Sequence, residues 1–151
     1  MLATFLVWTA CIVIDGLEIL PAMSIASWLR WMLIGMFSVD ILYLLIGSIS
    51  QLKKSDWGRQ LSQTGPYQFV RHPLYSGVIY STTGLISIMQ QSWSLLVSVL
   101  PLSILWSWLV QREEAELIRR FGKKYTDYME YTGQFFPTKK GMKRVAEIDD
   151  E

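Results

Sequence analysis

The chain has 151 residues, enough for one domain and too few for a second independent core. Apolar residues make up 51% and charged ones only 18%, against about 45–50% and about 25% in soluble domains, so a water-soluble fold is disfavoured. The net charge of +1 gives no reason to expect a nucleic-acid partner; the lone Cys11 excludes a disulfide framework, and the lone His72 excludes a two-histidine metal motif, so no metal site is expected.

In chain order, four stretches approach the roughly 20 residues that cross a hydrocarbon core. The first runs from about Leu2 to Leu20, closed by Pro21. It has no basic N-terminal region and carries Asp15 and Glu18, so it reads as a retained span rather than a cleaved signal. The second runs from Trp28 to about Ser50, a shorter third from Leu74 to about Met89, and the fourth from Trp93 to about Val110. Gln90, Gln91 and Ser92 leave room only for a tight hairpin between the last two, and Pro101 predicts a kink in the fourth. Ionisable groups inside spans are costly. Asp15 and Asp40 therefore read as facing each other or a polar cavity, in a structural or a functional role.

Basic residues set the orientation. The loop at 51–73 holds four, the tail at 111–151 holds nine, and Arg30 stands alone on the other side. Loop, tail and both termini are therefore expected on the cytoplasmic side. The fold class expected is all-α integral membrane: four transmembrane helices in a single domain of 1–151, with a C-terminal hairpin and cytoplasmic amphipathic helices.

The loop ends in Gly65-Pro66-Tyr67-Gln68-Phe69-Val70-Arg71-His72-Pro73-Leu74-Tyr75-Ser76-Gly77. Pro66 after Gly65 marks a turn, Pro73 biases His72 towards extended backbone, and Pro73 suits the first turn of the next helix. In the tail, Glu114, Leu117, Ile118 and Phe121 fall on one face of a helix that Gly122 is placed to end. Glu116 and Arg120 are spaced as an ion pair, and Tyr125, Tyr128 and Tyr131 predict a short aromatic helix against the membrane surface. Each part also has a plainer reading: snorkelling for Arg71 and His72, a solvated acidic patch for Glu113 and Glu114, and an interfacial belt for the tyrosines.

The combination is more specific. Gly65-x-Tyr67, Arg71-His72-Pro73-x-Tyr75-x-Gly77 and Glu113-Glu114-x-x-Leu117-x-x-x-Phe121-Gly122-x-x-Tyr125-x-x-Tyr128, in that order over roughly residues 59–137, resemble the isoprenylcysteine carboxyl methyltransferase and phospholipid methyltransferase superfamily of integral membrane enzymes. The resemblance implies S-adenosylmethionine as cofactor, bound at the cytoplasmic face by Gln60, Leu61, Ser62, Tyr67, His72, Pro73, Leu74, Tyr75 and Glu114. It implies Arg71 and His72 as catalytic residues and Arg112 and Glu113 as substrate-binding ones. The family often carries an arginine a few residues before the glutamate pair, where this chain has Val110 and Gln111. The implied acceptor is lipophilic or membrane-delivered: a lipid amine, an isoprenylcysteine-type carboxylate or a thiol.

The residues themselves agree with that cofactor. Arg71, His72 and a helix N-terminus suit its carboxylate, Glu114 its ammonium or ribose, and tyrosine faces its adenine and sulfonium. Two rivals share part of the pattern. A sterol-reductase-like membrane oxidoreductase would use NADPH, and a non-enzymatic membrane scaffold would bind no cofactor.

Overall fold

The computed structural model describes residues 1–18, 21, 23–55 and 59–149. Ile19 and Leu20, at the close of the first expected span, lie outside the described residues, as do 56–58 of the loop and the last two residues of the tail. Among the described residues the chain is all helical, with no strand. The helices are α1 (Leu2–Gly16), α2 (Ser27–Lys54), α3 (Pro73–Ser76), α4 (Thr83–Gln90), α5 (Trp93–Phe121), α6 (Lys123–Tyr131) and α7 (Lys139–Asp149). A 3₁₀ turn occupies Gly65–Gln68 and a π-helical turn Gly77–Thr82.

Two of these, α2 and α5, are long and apolar enough to cross a bilayer. Trp28, Met32, Met36, Val39, Leu42 and Ile46 of α2 are all exposed. An apolar helix that hides so little of its surface inside the chain suits lipid, not a soluble core. The apolar helix α1 is shorter, at 15 residues.

The residues divide into two compact units, Met1–Ile41 with Gly77–Trp106, and Leu42–Ser76 with Ser107–Glu151. In the first, helix packing is fixed by side-chain hydrogen bonds, which suit an apolar medium that offers no competing water. Trp8 Nε1 donates to Thr83 Oγ1 at 3.1 Å and Trp106 Nε1 to Thr4 Oγ1 at 3.0 Å. The Thr83 hydroxyl in turn donates to the Val78 carbonyl at 3.0 Å, satisfying a backbone acceptor beside the π turn. Asp15 accepts Ser94 Oγ at 2.7 Å, and Asp40 accepts the hydroxyl of Ser81. Each aspartate thus takes a serine partner instead of facing the other.

Gln91, in the left-handed region at φ 54°, and Ser92 form the turn between α4 and α5. Ser92 Oγ caps α5 by accepting Leu95 N at 3.0 Å. Arg30 donates to the Met89 carbonyl at 2.7 Å and so closes the last turn of α4. α5 runs on through Pro101.

The second unit is built around α6. Tyr125 and Tyr128 are each only 1% exposed, so these rings form the core of the unit and not an interfacial belt. Gly122, at φ 54°, ends α5 where expected, its N–H reaching the Ile118 carbonyl at 2.8 Å. Glu116 pairs with Arg119 at 3.6 Å, while Arg120 lies over the Phe121 ring. In the same unit a Cβ on Gly47 would stand 2.6 Å from Pro66 Cγ, so the 3₁₀ turn rests directly on the α2 backbone. Gly47→Ala is therefore expected to cost about 1–3 kcal/mol by overpacking. Thermal unfolding in detergent reads this as a lowered midpoint, and an unchanged midpoint would show that the turn does not depend on this close approach.

Candidate functional site

The segment after the 3₁₀ turn is held by backbone pairing with the tail. Val70 and Gly133 form an isolated parallel bridge. Arg71 N donates to the Gly133 carbonyl at 2.9 Å and His72 N to that of Gln134 at 3.1 Å. Pro73 starts α3, as the sequence leads one to expect, and Ser76 Oγ donates to the Phe135 carbonyl at 2.8 Å. Gln134 is itself fixed by Ser107 Oγ at 2.6 Å. A loop so tied has its side-chain directions set before any ligand arrives.

Those directions converge on Glu114, which is 8% exposed. Arg71 Nε donates to Glu114 Oε1 at 2.8 Å, and Arg71 Nη1 to the Thr132 carbonyl. His72 Nε2 lies 3.2 Å from the same Glu114 oxygen. Burial alone would raise the Glu114 carboxyl. The hydrogen bonds from His72 and Arg71, with their charge, outweigh it and hold the group at about 2, below its ordinary 4.5. Arg71 and His72 are therefore occupied in ordering each other around a buried carboxylate.

The neighbouring glutamate points elsewhere. Glu113 accepts the Tyr75 hydroxyl at 3.1 Å and lies 3.9 Å from His72 Nδ1. It lines a cavity of about 270 Å³ together with Leu52, Ser55, Gln60, Leu61, Ser62, Tyr67, Arg71, His72, Pro73, Leu74, Tyr75, Leu117, Phe121, Tyr125 and Tyr128. Burial and then the Glu113 carboxylate push the Tyr67 phenol up to about 12, and the buried Tyr125 and Tyr128 phenols are raised as well. The wall thus presents neutral phenols, an imidazole, one carboxylate, one guanidinium and the polar side chains of Ser55, Gln60 and Ser62 beside apolar Leu52, Leu61, Pro73, Leu74, Leu117 and Phe121. The Tyr125 hydroxyl is buried and has no well-formed hydrogen bond, although Arg71 lies nearby.

Most of the residues singled out in the sequence meet at this one cavity, namely Gln60, Leu61, Ser62, Tyr67, Arg71, His72, Pro73, Leu74, Tyr75 and Glu113. Two do not line it. Glu114 sits behind Arg71 and His72, and Arg112 is exposed. Leu52 and Ser55 were not singled out, because they close α2 and carry no motif. Leu117, Phe121, Tyr125 and Tyr128 stand in the tail motif, the first two on the helical face that Gly122 ends and the tyrosines on the short helix after it.

Because Glu114 titrates below its ordinary value in the fold, its stabilisation is complete above about pH 4.5 and is lost as the pH falls towards about 2. Glu114→Ala would leave Arg71 buried and uncompensated, at about 3–5 kcal/mol. Glu114→Gln keeps the shape and should abolish this part of the acid transition. Acid unfolding followed by tryptophan fluorescence distinguishes the variants, and an identical acid curve for Glu114→Gln would contradict the assignment.

With this geometry established, comparison with known proteins adds the family. Residues 32–124, well over half of the chain, match the phospholipid methyltransferase family. No curated protein and no solved structure matches the chain. The matched stretch contains all but the first five residues of α2, the tied loop, α3 and α4, the whole of α5 and the glutamate pair, all of the cavity wall except Tyr125 and Tyr128. The chain belongs to the phospholipid methyltransferase family, a family of methyltransferases acting on lipid-type substrates.

Proposed function

We infer that this chain transfers a methyl group from S-adenosylmethionine to a lipid acceptor, and that the cavity around Tyr67, His72, Tyr75 and Glu113 receives the cofactor. The observation that carries this reading is the convergence of the loop and tail residues on one partly polar cavity in the family-matched region. The donor set fits the cofactor. It offers a carboxylate for a cationic group, neutral phenol faces for an adenine and a sulfonium, and amide and hydroxyl groups at Gln60 and Ser62 for a ribose or an amino-acid moiety. The Tyr125 hydroxyl, buried close to Arg71 and without a well-formed hydrogen bond among the described residues, adds one polar group at the wall.

When bound, S-adenosylmethionine supplies a methyl group activated on sulfur. The chain's own part is mainly positional. Leu61, Leu74, Leu117 and Phe121 exclude water, and Tyr67 and Tyr75 hold a charged, planar ligand against the wall. Glu113 stabilises positive charge at the cavity surface. Arg71 and Glu114 act as positioning residues that fix the His72 ring. For a carboxylate or thiolate acceptor no protein base is required. For a lipid amine, Glu113 and His72 are the acceptors placed at the wall to take the released proton. Arg112 has no role in this reading.

The same reading places the chain in a membrane as four crossings, at about 2–20, 28–50, 74–89 and 93–110, with the termini and the cavity on the cytoplasmic side. The one-sided distribution of basic residues and the exposed apolar faces of α2 and α5 support it.

Titration of the purified protein in detergent is expected to give saturable binding of S-adenosylmethionine and none of NADPH. His72→Ala and Glu113→Gln should each weaken binding by about tenfold or more, the loss of one charged or hydrogen-bonded contact. Unchanged affinity in both variants would overturn the residue assignment. Saturable NADPH binding would favour the reductase reading, and no binding of either would favour a scaffold. Transfer of labelled methyl into a membrane lipid extract identifies the acceptor class.

A further inference from the structure

The C-terminal helix α7 has two unlike faces. Gly141 is buried and Val145 half-buried, one helical turn apart, and a Cβ on Gly141 would stand 2.6 Å from the Tyr131 carbonyl oxygen. That face is therefore seated on the end of α6. Thr138 caps the helix by accepting Gly141 N at 3.0 Å, its own hydroxyl donating to the Tyr131 carbonyl. The guanidinium of Arg144 lies 3.9 Å from the centroid of the Tyr131 ring, a cation–π lock on the same neighbour. The seat is small but specific, and it sets which face turns outward.

The outward face carries Lys139, Lys140 and Lys143, all exposed, at the spacing of adjacent helical positions. Beside them Met142 is 50% exposed, and Phe136 just before the helix is 59% exposed. Bulky apolar side chains flanking a lysine cluster suit the boundary between headgroups and acyl chains, where both kinds of side chain are satisfied at once. The acidic residues Glu147, Asp149, Asp150 and Glu151 all follow the basic cluster in sequence, so positive charge is concentrated in the half of α7 next to its seat. We propose that α7 is an anionic-lipid-binding arm, with Lys139, Lys140 and Lys143 contacting phospholipid headgroup phosphates and Met142 and Phe136 entering the interface. The partner is a bilayer surface with negatively charged headgroups. The inference rests on the apolar helices lying in a bilayer and is independent of the methyltransferase reading.

The test uses the full chain in nanodiscs of phosphatidylcholine alone or mixed with phosphatidylglycerol, with amide hydrogen exchange measured over 136–146. Exchange is expected to be about tenfold slower in the anionic discs, and high salt should remove the difference. The triple variant Lys139→Gln, Lys140→Gln, Lys143→Gln keeps good helix formers and should lose the protection. Exchange over 123–131 serves as the folding control and should not change in that variant. Equal exchange in the two bilayers would overturn the proposal, as would protection that survives the triple variant. Protection by inorganic phosphate in phosphatidylcholine discs would also overturn it, by assigning the cluster to a soluble anion.

Discussion

Glu114 receives Arg71 Nε at 2.8 Å and stands 3.2 Å from His72 Nε2, at a position that is 8% exposed. A buried carboxylate is costly unless its lone pairs are filled, and here an arginine and a histidine adjacent in sequence fill them together. Because Arg71 also donates to the Thr132 carbonyl, the same ion pair pins the tail beyond α6 against the loop before α3. The backbone bonds from Arg71 and His72 to Gly133 and Gln134 complete that seam. The second unit is thus organised by polar contacts at least as much as by its tyrosine core. Removing one partner exposes the cost of the others.

This arrangement divides labour within an adjacent pair of glutamates. On a helix, neighbouring positions face about 100° apart. Glu114 therefore turns inward to the arginine and histidine, while Glu113 remains on the cavity wall with Tyr75. A ligand meets His72 already oriented and Glu113 still available at the surface. In such a site most of the ordering is completed during folding, which suits a reaction whose main demand on the protein is positioning.

The cavity residues were legible in the sequence because local chemistry constrains them. Pro66 and Pro73 limit the backbone on either side of Arg71 and His72, and Leu117 and Phe121 repeat at helical spacing before Gly122. Periodicity and charge also led to apolar helices at α2 and α5. The pairing of Glu114 with Arg71 and His72 was not legible. It depends on a contact between residues more than forty apart, and either glutamate could have filled the inward position. The tyrosines misled for a related reason: three aromatic rings on one short helix suit an interface and a core equally, and only the tail folding back over Tyr125 and Tyr128 decides for the core. Asp15 and Asp40 likewise found serines on α5 and in the π turn, partners that hydropathy cannot reveal.

The central claim is that the loop and tail of the second unit build a cofactor cavity in a phospholipid methyltransferase family member. Photo-cross-linking with labelled S-adenosylmethionine, followed by peptide mapping, tests it most directly. The account predicts label confined to the segments 52–55, 60–75 and 113–128, displaced by unlabelled cofactor. Displaceable label in α1 or in 23–41, or no displaceable label anywhere, would contradict it.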